Sequence, residues 1–391
     1  MTDSPVTVAD VVDALEAAYP PALAESWDRV GLICGDPGAP VGKIAFALDC
    51  TLAVAQRAVA DGAQMLVVHH PLLFRGVSSV AANTPKGRVL HTLMTNGVAL
   101  FAAHTNADSA RPGVSDRLAE LIGIVPGRPI KPVSVGGTDK WGVHIPPADV
   151  EHVMHALFDV GAGRIGNYTR CSFEWEGTGG FTPMEGAEPA EGTVGQHYSA
   201  PETRVEFVAP TSLRRSLIDA LRRVHPYEEP AFDICPMPQV GDLSQATGLG
   251  RIGELPEPMT LRQFTQQVAD ALPPTAWGVR AAGDPEQMVR TVAVSSGSGD
   301  SFLSDVAALG VDVYVTSDLR HHPVDEHLAA GGPAVVDTAH WASEYPWTSQ
   351  AEGIVKPLGV DTEIIALRTD PWTISAHPRH NHAHDSTTRG V

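Results

Sequence analysis

The stretch LVVHHPLLF, Leu66 to Phe74, sets a run of branched apolar residues directly before two adjacent histidines. The run reads as a short β-strand, and its neighbours decide what kind of sheet it joins. KIAFALD, Lys43 to Asp49, is a second β-like run and is followed by the helix-like TLAVAQRAVADGA. Past Phe74, a helical stretch around GRVLHTLMTNG leads into VALFAAH, Val98 to His104. Strands that alternate with helices predict an α/β fold with a parallel or mixed sheet.

The last third of the chain repeats this texture. VRTVAVSSGSG (Val289 to Gly299), VDVYVTSD (Val311 to Asp318) and PAVVDTAH (Pro333 to His340) are separated by helix-like segments. Two similar βαβ halves imply one sheet-based domain or a pseudo-duplicated pair. Between them, residues 138–247 read twice as strand, helix, strand, which predicts an inserted ferredoxin-like α+β module. GLGRIGEL, Gly248 to Leu255, returns the chain to the first domain. The expected organisation is therefore 1–137 and 248–368 as the two halves of one domain, 138–247 as the insert, and 369–391 as a disordered tail without periodicity.

Composition narrows the partners. With 46 acidic against 27 basic residues the formal charge is −19, which repels a phosphate backbone, so no nucleic-acid partner is expected. The N-terminus lacks the basic and apolar regions of a signal peptide, and no apolar run is long enough to span a bilayer. A soluble cytoplasmic protein with no membrane partner is the expectation. Cys34, Cys50, Cys171 and Cys235 are scattered without a Cys-x-x-Cys pair, which argues against a disulfide framework and a thiolate zinc site. GAGRIG, Gly161 to Gly166, fits the glycine pattern of dinucleotide sites, but a helix precedes it and a strand follows. That order is inverted, so it is read as a turn.

The histidines stand out by position. His69 and His70 follow MLVV, His104 follows VALFAA, Asp318 follows VDVYVTS, and His340 follows AVVDTA. Open α/β sheets build ligand sites beyond the carboxyl ends of their strands, so these loops can converge. Three pairs share a spacing of four: His104 with Asp108, Asp318 with His322, and His340 with Glu344. At the start of a helix such pairs share a face, as two donors to one ion require. A lone histidine at a strand end is more often structural; convergence of several is what favours a site. Imidazole and carboxylate without thiolate suit zinc, manganese, iron or nickel, and this many donors suits two bridged ions.

On these residues the chain resembles the Ngg1-interacting factor 3-like dinuclear metal proteins, also labelled GTP cyclohydrolase 1 type 2 homologs. WDRVGLICGD, VVHHPLLF, AAHTNAD, VYVTSDLRHH and VVDTAHWASE occur in that family's order. GAGRIGNYTRCSFEWEGTGGFTP and HPYEEPAFD look like the insert of its long form, which is similar to CutA and PII domains. The resemblance implies two divalent metal ions per subunit held by His69, His70, Asp108, His340 and Glu344. It places His104 and His322 as near neighbours of the metals, able to shuttle a proton, and Asp318 at the family's preceding acid. It implies a metal-dependent hydrolase acting through a bridging water, with a small nucleotide-like substrate, or alternatively a non-enzymatic metal-binding or regulatory scaffold. A ring-shaped homohexamer is implied in both cases. The chain departs from the family pattern at Ser317, Ala339 and Ala107, and His321 replaces a tyrosine, but no ligand is lost. The tail histidines His377, His380, His382 and His384 are expected to bind metal adventitiously at most.

Overall fold

A computed structural model describes residues 5–133, 137–237, 243 and 246–376. The four tail histidines from His377 onward lie outside the described residues. The chain divides into two compact units, Met1–Val133 with Asp242–Val391, and Ser134–Gly241.

The first unit is a mixed α/β fold around two sheets. In one, the strand order is Gly31–Cys34, Ala99–Ala102, Met65–Val68, Lys43–Ala47, Asp361–Ile364. All pairings are parallel except that of the Gly31–Cys34 edge. Met65–Val68 lies at the centre with every residue buried. Its unbroken apolar run follows from cover on both faces. Helices Leu52–Ala60 and Pro85–Thr95 pack Val54, Ala58, Val89 and Leu93 against Leu66 and Val68. On the other face Val8–Ala18 and Trp347–Val355 pack Val11, Leu15, Trp347 and Ala351 against Met65 and Val67.

The second sheet runs Arg280–Ala282, Ala334–Thr338, Val313–Ser317, Met288–Ser298, Arg251–Thr260, Val125–Pro126. Its three middle strands, Ala334–Thr338, Val313–Ser317 and Met288–Ser298, are parallel and the rest antiparallel. The two sheets exchange edges: Asp361–Ile364, from the end of the chain, pairs with Lys43–Ala47, while Val125–Pro126 pairs with the late strand Arg251–Thr260. Local periodicity marks a strand but not the edge it joins, so the halves read from sequence look more separate than they are.

Thr369 to Trp372, expected to open a disordered tail, are instead held in place. The Thr369 hydroxyl donates to Asp49, Asp370 is buried, and the Trp372 ring packs 5.9 Å from that of Trp277. These contacts are tertiary, so the absence of periodicity could not reveal them.

The second unit is a four-stranded antiparallel sheet in the order Phe232–Met237, Thr138–Ile145, Tyr198–Pro210, Ser172–Phe181. Helices Val150–Val160 and Arg214–Val224 complete a β-α-β-β-α-β connection around Trp141, Val143, Leu157, Phe207 and Leu221. Gly161, at φ 113°, ends the first helix in the left-handed conformation, so GAGRIG is a helix C-cap and turn. Among the described residues no helix is long and apolar enough to cross a membrane.

Arg251 locks the return of the chain into the first unit. Fully buried, it donates to Asp116 Oδ1 at 2.8 Å and to the Gly248 and Gly250 carbonyls at 2.6 Å. Removing one member of a buried pair strands the other. Arg251→Met is expected to lower the unfolding free energy by about 3–5 kcal/mol in denaturant titration; a loss under about 1 kcal/mol would show that the pair is dispensable.

Candidate metal centre

Parallel strands deliver the site. Met65–Val68 ends at His69 and His70, Ala99–Ala102 at His104, Lys43–Ala47 at Asp49, Val313–Ser317 at Asp318 and Ala334–Thr338 at His340. All are carboxyl ends, where the open edge of such a sheet binds ligands. Two one-turn helices follow: Thr105–Ser109, with His104 as N-cap, carries Asp108, and His340–Glu344 carries both its named donors. One helical turn brings His340 Nε2 to 3.0 Å from Glu344 Oε2.

Each histidine is oriented by an acceptor on Nδ1. His69 Nδ1 lies 2.7 Å from the Ala103 carbonyl, and His70 Nδ1 lies 2.7 Å from Asp49. His104 Nδ1 lies 3.0 Å from Asp28, and His340 Nδ1 lies 2.7 Å from Asp318. With Nδ1–H donated outward, each Nε2 presents its lone pair, the arrangement found around metal-ligating imidazoles.

The inner atoms crowd together. His70 Nε2 is 2.8 Å from Glu344 Oε2 and 3.4 Å from His340 Nε2, and His69 Nε2 is 3.7 Å from both Asp108 Oδ1 and Glu344 Oε1. Three donor groups have ligand atoms all within 4.8 Å: His69, His70 and His104; His70, His340 and Glu344; His69, Asp108 and Glu344. His69 Nε2 and Glu344 Oε2 are buried without a hydrogen-bond partner among the described residues, although imidazole nitrogens surround the latter. An orphaned buried polar atom costs about 1–3 kcal/mol. A cation shared by these atoms removes that cost, so the donor set fits a divalent metal ion. The backbone makes room for it: at Gly297, with φ of 61°, a Cβ would lie 2.2 Å from Glu344 Oε1.

Electrostatics point the same way. Glu344, opposing burial and helped by Asp49, raises His70 to about 10, and Glu344 with Asp318 raises His340 to about 11 against burial. Glu344 itself is buried, yet His340, His70 and His69 hold it well below the usual carboxylate range. Burial instead pushes Asp108 up, only partly offset by His69. A cation bound there competes with these protons for the Nε2 lone pairs.

The structure brings His69, His70, Asp108, His340 and Glu344 together and adds His104 to them as a donor. His322 stays apart: it is exposed, with its ring 5.1 Å from that of His321. The spacing argument fails there because Asp318, at φ 58°, precedes the helix His321–Ala329 and does not share its face with His322. Sequence reasoning missed the outer supports: Asp28, Asp49, Thr369, and Ser296, whose hydroxyl lies 3.2 Å from Asp108. Asp49 had a signal, since it ends the KIAFALD run by the same strand-end logic.

Two cavities are lined in part by the donors. One of about 750 Å³ is lined by Trp27, Phe74, His104, Lys131 and Ser298 among others. Another of about 290 Å³ shares Asp49, His70 and His340 with it as lining residues.

Fold and cluster together define an α/β protein with a cluster of imidazoles and carboxylates that could hold a metal ion. The sequence profile of Duf34/NIF3 (NGG1p interacting factor 3) matches residues 6–371, and the chain belongs to that family. It is 50% identical to the GTP cyclohydrolase 1 type 2 homolog of Mycobacterium tuberculosis, over 94% of this chain and 97% of the relative. The Bacillus subtilis protein of the same name is 34% identical over 93% and 97%. Among solved structures it is similar to a Bacillus cereus protein related to NIF3, with 34% identity, a TM-score of 0.67 and coverage of 95% and 100%. A Staphylococcus aureus structure gives 28% identity, a TM-score of 0.76 and coverage of 95% and 99%.

Asp49→Ala and Asp318→Ala should each weaken zinc binding by about 10–100-fold in competition with a chromophoric chelator, with the circular dichroism unchanged. Parental affinity in both variants would mean that the outer carboxylates do not orient the donors.

Proposed function

We propose that this chain is a metal-dependent hydrolase that holds two divalent ions per subunit on His69, His70, Asp108, His340 and Glu344, with His104 completing the donors. The observation that carries this reading is the set of four imidazoles with Nδ1 tied outward, of which His69, His70 and His340 face Glu344 while His104 groups with His69 and His70. Bound there, such a pair supplies Lewis acidity toward water and a substrate oxygen. Zinc, manganese, iron and nickel all suit the donors.

The remaining residues orient and select. Ser296 fixes Asp108, Asp28 fixes His104, and Gly297 leaves Glu344 free to face both donor groups. The 750 Å³ cavity is of a size for a small ligand. Trp27 and Phe74, 6.2 Å apart and exposed, offer a ring surface, and among the described residues Lys131 is the single Lys or Arg of the lining. A planar ring with an anionic substituent, such as a small nucleotide, matches that lining, and the relatives' name, GTP cyclohydrolase 1 type 2 homolog, points to the same chemistry.

Reconstituted with each metal in turn, the protein should hydrolyse a member of a panel of nucleotides, phosphoesters and amidines. Glu344→Ala should abolish that turnover without loss of fold. A panel that stays silent with the metal bound would favour the second reading, a non-enzymatic metal-binding scaffold.

The scaffold reading draws on the second unit. Its connection and strand order are those of a ferredoxin-like module, which we read as a CutA/PII-like insert between two pseudo-repeated halves. Its edge strand Ser172–Phe181 is largely exposed and carries the exposed Phe173 and Trp175, a surface suited to subunit packing. We read the assembly as a cytoplasmic homohexamer. Light scattering should give a mass of six chains, whereas a monomer would contradict it.

A further inference from the structure

The segment that follows the paired histidines stands free of the body that carries it. Pro71 and Leu72 are buried directly after His70, and Leu72 packs into the core on one face of the first sheet. From Phe74 to Lys86 every residue is exposed. Among the described residues, the single hydrogen bond made between Phe74 and Val80 is the one that the Ser79 hydroxyl accepts from the Ala81 N–H, at 3.3 Å. The far end is tied again: the Ala81 carbonyl accepts the Thr84 N–H at 3.2 Å, and Thr84 caps the helix Pro85–Thr95. Residues 74–80 are thus a strap held at its two ends, the profile of a surface element of low local stability.

The strap starts at the mouth of the larger cavity. Phe74 lines that cavity beside Trp27, whereas none of residues 75–80 does. Arg75, the next residue along, is exposed and makes neither a hydrogen bond nor an ion pair among the described residues. The cavity is short of positive charge: Glu25, Asp49, Asp108, Asp305 and Glu344 line it against Lys131. Metal ions on the donors offset the inner carboxylates. An anionic group held outside the donor cluster has Lys131 alone to meet it.

We propose that Arg75 is a ligand-binding residue, which the strap carries over the cavity to pair with the anionic substituent of a small nucleotide. The proposal rests on the reading of this cavity as a nucleotide-like site. A guanidinium presents a planar fork of donors that matches a phosphate in two bonds. Closure also takes Val77 and Val80, 50% and 46% exposed, out of water and onto the ring held at Trp27 and Phe74. Three residues span at most about 11 Å, so Val77 stays within reach of that ring. Pro71, with its backbone fixed by its own ring, and the buried Leu72 keep the movement from the donors His69 and His70. The ligand drives closure through contacts that the open strap lacks.

The test uses the zinc-loaded full chain, with GMP and guanosine as probes in equilibrium dialysis. Arg75→Gln is expected to raise the dissociation constant for GMP by roughly tenfold or more and that for guanosine by less than about twofold, and Arg75→Lys to recover part of the loss. Arg75 is exposed, so its replacement leaves the fold intact. In hydrogen exchange, the amides of residues 76–80 should exchange freely in the ligand-free chain and slow by about tenfold or more with GMP bound, in the parent and not in Arg75→Gln. Equal binding of GMP by the parent and Arg75→Gln, or a strap already protected without ligand, would overturn this proposal and leave the nucleotide reading of the cavity standing. Failure of GMP to bind the parent at all would overturn that reading, and the role of Arg75 with it.

Discussion

Glu344 is a buried carboxylate faced by imidazoles from two different sheets, and the architecture of the first unit serves that meeting. The first sheet brings His69 and His70 to it, and the second brings His340 together with Glu344 itself. Neither sheet alone neutralises the group. An unpaired charge at that depth is far more costly than a paired one, so burial of Glu344 depends on the carboxyl ends of the two sets of strands being held together.

Buried hydroxyls brace the contact. Ser343 accepts the Gly297 N–H at 3.0 Å, and Ser317 lies 2.9 Å from the Thr338 hydroxyl and 3.2 Å from that of Ser343. Ser295 reaches Tyr314 at 2.6 Å and Thr316 at 2.9 Å. These bonds join neighbouring strand ends of the second sheet, so the one-turn helix that carries His340 and Glu344 starts from a rigid floor. Fixed donors of this kind suit a metal centre, whose ligands must not wander.

Much of this was legible in the sequence because strand ends are marked locally. Apolar runs that stop at His69, His104 and His340 announce both the sheet and its reactive edge, and the spacing of four placed Asp108 and Glu344 on the right turns. The supports were harder to read. Asp28 sits in a segment without periodicity and reaches His104 across 76 residues of chain, and Thr369 reaches Asp49 across 320. His322 misled for the opposite reason: its spacing from Asp318 is helical, but the left-handed backbone at Asp318 delays the helix. The exchange of edge strands was equally hidden, since pairing partners are a tertiary property.

The central claim is that these donors form a two-ion centre. It is tested most directly by elemental analysis of the full chain, untagged, with His377, His380, His382 and His384 replaced by alanine, beside the same chain carrying His69→Ala and His70→Ala. Close to two divalent ions per chain in the first and a loss of both in the second is the predicted result. No stoichiometric metal in the first, after reloading under anaerobic conditions, would contradict it.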